Sequence, residues 1–288
     1  MPDLREARVA IVGLGLMGGS LGLALKARGA CREVVGIARR QANLDEALAM
    51  GAIDWGTLDL AAGVRQAEMV VLAPPVRTVL RQLPAVAAWV PRDACILDMG
   101  STKSEICRAM ADLPNGVQPV GGHPMCGKEQ AGIAVADAGL YDGKTFVLSP
   151  LARTSDDALR LATSLAQSVG SRVLYLEPAQ HDRLVAAISH LPYLLACALV
   201  AMAERVGEED AQVWQVAASG FRDTTRLAAS DVTMLLDILM TNQEAVLAMV
   251  EKFQHELETL ARVLRQGDEE RLRARLETLR RRRSSLWK

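Results

Sequence analysis

Gly13-Leu-Gly15-Leu-Met-Gly18 follows the apolar run Val9–Val12 directly and leads into helix-forming residues. In that setting each glycine has a separate task. The first permits a tight turn out of a strand, the second lets the backbone approach a pyrophosphate, and the third lets helix pack closely on strand, with the helix N-terminus facing the phosphates. The next strand candidate, Glu33–Ile37, ends about twenty residues further on, the spacing this fingerprint requires. Gly13, Gly15, Leu16, Met17 and Gly18 are therefore candidate cofactor contacts.

The residues that follow the second strand bear on which dinucleotide binds. A site specific for NAD presents an acid there, to accept from the ribose 2′-hydroxyl. This chain has Ala38-Arg39-Arg40 instead. No carboxylate repels a 2′-phosphate, and guanidinium groups suit one. The reading favours NADP, with NAD as the other possibility.

A chain of 288 residues exceeds what one hydrophobic core usually serves, which predicts two domains. Half of its residues are hydrophobic but only 3% are aromatic, so the core must be built from Ala, Leu, Val and Met, a mix that suits helices. Arg8–Gly13, Glu33–Ile37, Met69–Ala73, Cys95–Met99 and Pro119–Gly121 are too uniformly apolar for half-solvated strands, and helical patterns such as 21–28 and 43–50 lie between them. Thr145–Ser149 and Arg172–Leu176 add edge strands around a helix capped by Ser155. After Glu177-Pro178 no strand pattern recurs. The predicted fold is an α/β Rossmann-type doubly wound sheet over 1–177, followed by an all-α C-terminal domain over 178–288 for substrate binding and dimerisation.

The formal charge of −1 gives no field that would recruit nucleic acid or an anionic membrane, so the expected partner is a small molecule. Five scattered cysteines without a CxxC pair argue against a disulfide framework, and the N-terminus has no signal-peptide pattern; a cytoplasmic location is expected. Leu184–Ala203 has the length of a membrane span, but Ser189, His190 and Pro192 near its middle fit the core helix of a soluble homodimer better. Val232–Arg265 carries helical apolar spacing over more residues than one small domain covers, which again predicts a second subunit. No Cys/His cluster has metal-ligand spacing, so no metal is expected.

Polar patches follow the apolar runs. Gly100-Ser101-Thr102-Lys103 comes after one strand and Gly121–Glu129 after the next, both at the carboxyl end of the sheet where open α/β folds bind ligands. His123 is thereby a candidate acid–base group. In Ile188–Pro192, Pro192 removes a helical donor beside His190. Ser219–Arg226 sets Arg222 and Arg226 four apart on one helical face with Asp223 beside them, which suits a substrate with two carboxylates. Asp231, close by, is a hint toward an ammonium-bearing substrate.

These stretches together resemble the prephenate and arogenate dehydrogenase family of tyrosine biosynthesis: GLGLMGGSLG at 13–22, GSTK at 100–103, GGHPMCGKEQAG at 121–132, SHLPY at 189–193 and SGFRDTTR at 219–226. The first stretch is shared with many dehydrogenases, whereas GGHP, SHLP and GFRDTTR in this order are specific. The resemblance implies an oxidative decarboxylation in which a ring carbinol gives hydride to nicotinamide while the ring carboxylate leaves as carbon dioxide. It implies that His123 accepts the ring hydroxyl proton, that Ser101 orients His123 and touches the cofactor, and that His190 shapes the substrate pocket. Arg226 would bind a substrate carboxylate, Arg222 would stand at a basic position, and Glu129 would help gate the site. No regulatory domain of the kind some members append is expected here, and any tyrosine inhibition is expected at the active site. On the residues alone, a β-hydroxyacid dehydrogenase, an imine reductase or a non-catalytic NADP sensor stays open, since those also begin with a glycine fingerprint.

Overall fold

The computed structural model describes residues 3–128 and 130–286. Contacts group the chain into two compact units, Met1–Asn242 and Gln243–Lys288.

The first unit is built on an eight-stranded sheet: β1 (Arg8–Val12), β2 (Glu33–Ile37), β3 (Trp55–Thr57), β4 (Met69–Leu72), β5 (Cys95–Asp98), β6 (Gln118–Pro124), β7 (Thr145–Pro150) and β8 (Arg172–Tyr175). Their order is β3-β2-β1-β4-β5-β6-β7-β8, and every pairing is parallel except β6 with β7. Alternate residues feed two cores, as a period of two demands. Val9, Ile11, Met69, Val71, Cys95 and Leu97 point into one, while Ala10, Val12, Val70, Leu72 and Ile96 point into the other. Both faces are covered, which explains strands with no polar alternation. Helices α1 (Leu16–Ala27), α2 (Gln41–Ala49) and α6 (Asp156–Ser168) close the first face, and α3 (Leu60–Val64), α4 (Val76–Trp89) and α5 (Ser104–Ala111) the second. Ser155 caps α6 as expected, its Oγ accepting from Ala158 N at 3.3 Å.

Three expectations are corrected. The fifth predicted strand runs on to Pro124, because it pairs along its whole end with β7, so His123 lies within β6 opposite Val147 and not in the loop beyond it. Of the two strands expected at an edge, only β8 is one, since β7 pairs on both sides. The helical run 232–265 is broken: α11 (Val232–Thr241) stops at Asn242, whose φ of −132° and ψ of 30° leave the helix, and α12 (Gln243–Arg265) starts afresh. The Asn242 amide is drawn away to bond Asp182 O and His190.

Beyond β8 the first unit is helical: α7 (Pro178–Val185), a π turn at Ala186–His190, α8 (Leu191–Glu209), α9 (Val213–Val216), α10 (Ser219–Thr225) and a 3-10 turn at Arg226–Ala229 before α11. Leu191 N bonds Ala186 O across the π turn, just before Pro192, which has no N–H to offer. His190 is left buried. The stretch Pro178–Glu209 is long and apolar enough to cross a bilayer, but only 22% of its most apolar window is buried within this chain. The second unit pairs α12 with α13 (Glu269–Leu286) through surface ion pairs such as Arg275–Glu256 at 3.0 Å.

Candidate active site

The sheet order places a topological switch point between β1 and β4, since β1 leads outward to β2 while the chain returns on the other side. The glycine turn lies at the carboxyl end of β1. Gly13 has φ +96°, and a Cβ there would meet Pro74 N at 3.0 Å. A Cβ on Gly18 would meet Gly13 O at 2.0 Å, so only glycine lets α1 pack this closely. Gly15 differs from both: among the described residues nothing lies within 4 Å of where its Cβ would be. Its side is therefore open for a ligand to reach the backbone at the start of α1, and no side chain caps that helix. These residues fit a dinucleotide pyrophosphate. Leu16 and Met17 are half-buried against the core, and Met17 O accepts from Tyr141 Oη at 2.6 Å. At the end of β2, Ala38 is buried while Arg39 and Arg40 are exposed.

A buried polar network occupies the carboxyl ends of β5 and β6. Asp98 Oδ1 accepts from Gly122 N at 3.0 Å and Oδ2 from Gly100 N at 2.8 Å, and the same carboxylate pairs with Lys103 Nζ. Both side chains are 0% exposed. The Lys103 ammonium, expected to face ligand, is thus turned inward to clamp its own loop, because a buried carboxylate needs a counter-charge. Thr102 Oγ1 is likewise committed, to Thr241 Oγ1 at 2.8 Å. Ser101 stands half-buried in the middle of this anchored turn.

His123 Nδ1 lies 2.8 Å from His181 Nε2, and His181 Nδ1 lies 2.8 Å from Asp182 Oδ1. Asp182 in turn accepts from the backbone N–H groups of Lys103 at 2.7 Å and Ser104 at 2.8 Å. Burial alone would raise the Asp182 carboxyl, but the bonds from His181, Ser104 and Lys103 outweigh it and hold the group below its ordinary value. Burial holds the His123 imidazole well below its ordinary value, and the Lys103 ammonium pushes the same way. His123 is therefore neutral, and able to accept a proton, throughout the neutral range. Burial also lowers His190 to about 4. Since Asn242 Nδ2 is a donor, bonding both Asp182 O at 2.8 Å and His190 Nδ1 at 3.1 Å, His190 carries its proton on Nε2.

The remaining expected residues lie further along the helical segment. Arg222 is exposed on α10 and pairs with Asp223 at 3.3 Å. Arg226 is exposed where α10 gives way to the 3-10 turn, so the two arginines do not share one regular helix as their spacing suggested. Asp231 caps α11, accepting from Met234 N at 2.7 Å. Glu129 lies outside the described residues. His181, Asp182, Asn242 and Asp98 escaped the sequence reading. An acid closing an apolar strand, as Asp98 does, was the one available signal; nothing in the spacing of His181 and Asp182 marks them.

A largely parallel sheet with this glycine cradle, and an imidazole at the carboxyl end of β6 on the same edge, is the arrangement of a nicotinamide-dependent dehydrogenase. Residues 21–175 match the family model described as prephenate dehydrogenase, nucleotide-binding domain, and residues 177–278 match prephenate dehydrogenase, dimerization domain. The chain belongs to the prephenate dehydrogenase family. It is 32% identical over 266 residues to the prephenate dehydrogenase of Bacillus subtilis, covering 92% of this chain and 72% of that one. A crystal structure of prephenate dehydrogenase from A. aeolicus, in complex with hydroxyphenyl propionate and NAD+, superposes with a TM-score of 0.92 at 30% identity, covering 99% of this chain and 100% of the other. Synechocystis arogenate dehydrogenase superposes with a TM-score of 0.85 at 28% identity over 97% of this chain and 99% of its own.

Proposed function

We propose that this chain oxidatively decarboxylates prephenate or arogenate, with His123 as the base. The observation that carries this reading is a neutral, half-buried imidazole at the carboxyl end of β6, on the same edge of the sheet as the open glycine cradle. A nicotinamide bound at the glycine cradle would supply the hydride acceptor for the ring carbinol carbon, and the oxidation there lets the ring carboxylate depart as carbon dioxide. His123 Nε2 accepts the carbinol hydroxyl proton, so the O–H bond breaks, an N–H bond forms and the oxygen becomes a carbonyl; as the C–C bond to the departing carboxylate breaks, its electron pair passes through the ring to that oxygen, which takes the proton back from His123 to become the phenol hydroxyl. Ser101 touches the cofactor side, and His190, neutral and buried, shapes the pocket. Arg226 holds a substrate carboxylate, with Arg222 and Asp223 flanking it and Glu129 gating entry. Aromatisation drives the reaction, so positioning and one proton acceptor suffice. Incubation with each substrate and oxidised cofactor should generate reduced nicotinamide with at least one of them. Turnover with neither would overturn the reading.

Residues 178–288 serve as the substrate-binding and dimerisation half in this account. Leu184, Met202 and Val206 on α7 and α8, Ile188 at 70% exposure in the π turn, and Val232 at 68%, Leu236 and Met240 on α11 leave apolar surface that water does not favour. A second copy of the chain is the proposed cover. Light scattering should give twice the 31.0 kDa chain mass at micromolar concentration. A monomer there would contradict it.

NADP is the proposed preferred cofactor. Exposed Arg39 and Arg40 follow β2 where an acid would otherwise select NAD, and the contact they offer a 2′-phosphate is screened by water. The preference should be on the order of tenfold to a hundredfold, the scale of one or two charge-assisted bonds, and should fall with salt. Ala38→Asp should reverse it, since a carboxylate there repels the 2′-phosphate and accepts from the NAD hydroxyl. Equal or better kcat/KM with NAD at low ionic strength would show the arginines to be ordinary surface charges.

A further inference from the structure

The hydrogen bonds around His181 determine which nitrogen of His123 bears its proton. Asp182 is an ionised acceptor whose two oxygens already receive the N–H groups of Lys103 and Ser104, so His181 must donate to it through Nδ1–H. A neutral imidazole with its proton on Nδ1 has only a lone pair on Nε2. With His181 taken as the neutral ring, that lone pair faces His123 Nδ1 at 2.8 Å and His123 is the donor in this bond. His123 then carries its proton on Nδ1 and a lone pair on Nε2. His181 is fully buried and set by its neighbour on α7, so the assignment does not depend on solvent.

We infer that His181, anchored by Asp182, is a positioning residue that locks His123 in the Nδ1-protonated tautomer and thereby aims the Nε2 lone pair at the substrate hydroxyl. The inference rests on the reading of His123 as the base. When His123 takes the hydroxyl proton on Nε2, it becomes a cation that keeps its Nδ1–H on His181, and the Asp182 carboxylate one ring further on offsets the charge. Without His181, no hydrogen bond among the described residues favours Nδ1–H over Nε2–H on His123, and a base in the wrong tautomer presents a donor where an acceptor is needed.

Side-chain nitrogen-15 spectra of the intact wild-type protein, labelled at histidine and assigned with His123→Asn, test the tautomer without reference to turnover. A protonated Nδ1 and a bare Nε2 on His123 are expected; a proton on Nε2 would overturn the inference. Kinetics with whichever of prephenate and arogenate, and of NAD and NADP, the wild-type protein turns over faster test the consequence. His181→Leu should lower kcat by roughly ten- to a hundredfold with KM nearly unchanged, the scale of a misaligned group. His181→Gln, whose amide oxygen can still accept from His123 Nδ1, should recover most of that loss. Wild-type kcat in His181→Leu, or equal losses in the two variants, would overturn the positioning role while leaving His123 as the base. If His181→Leu does not fold, the wild-type spectrum and His181→Gln decide. Near-normal turnover in His123→Asn is the separate result that removes the reading on which this rests.

Discussion

Replacement of His123 by Asn should leave the fold intact and lower turnover by about two to four orders of magnitude, the usual worth of a positioned acid–base group. The fold should survive because His123 is half-buried at the end of β6, where the strand's pairing with β7 uses backbone groups that Asn keeps. An Asn side chain reaches about as far as Nδ1 of the ring, so it can still bond His181, but it has no basic lone pair where Nε2 was. The loss should fall on kcat at every pH in the neutral range, because His123 is already neutral there in the wild type and gains nothing from raising the pH. Steady-state rates of the purified variant, with its circular dichroism as a control, check this. Turnover within a few fold of wild type would remove His123 from the mechanism.

The largest expected effect on stability lies at Lys103. Its ammonium and the Asp98 carboxylate are both fully buried, and each is the other's counter-charge. Lys103→Met leaves that carboxylate inside the protein with only the N–H groups of Gly100 and Gly122 for company. Breaking a buried pair from one side costs about 3–5 kcal/mol, because the remaining charge is stranded. The double variant Asp98→Asn with Lys103→Met should regain much of the loss, since no buried charge is left. Denaturant melts of the three proteins measure both quantities. A loss below about 1 kcal/mol in Lys103→Met would mean that water or protonation relieves Asp98 and that the pair does not anchor the loop.

What the sequence made legible followed from local rules. The glycine fingerprint, the two-sided apolar strands and the Ser155 cap each encode their structure within a few residues, and each appears where expected. β3 escaped because Trp55–Thr57 is three residues long, too short to show a period. The break at Asn242 escaped for a different reason: apolar spacing continues through it, and only the side chain's bonds to His190 and Asp182 O, partners about fifty and sixty residues away, make leaving the helix favourable. Lys103 was legible as a polar residue at the right end of the sheet, but its direction depends on Asp98, which hid inside an apolar strand. The same holds at His123. Its nearness to the carboxyl end of the sheet was readable from the apolar run before it, though not that the strand continues through it, whereas His181 and Asp182 reach it only through tertiary packing of α7 against α5.

As proposed, the base at His123 serves an oxidation coupled to loss of the ring carboxylate, not a simple alcohol oxidation on a shared fold. Carbon dioxide and reduced nicotinamide measured together during turnover of prephenate or arogenate test this most directly. One carbon dioxide is expected for each reduced cofactor, with both products lost together in His123→Asn. Reduced cofactor accumulating without carbon dioxide would contradict it.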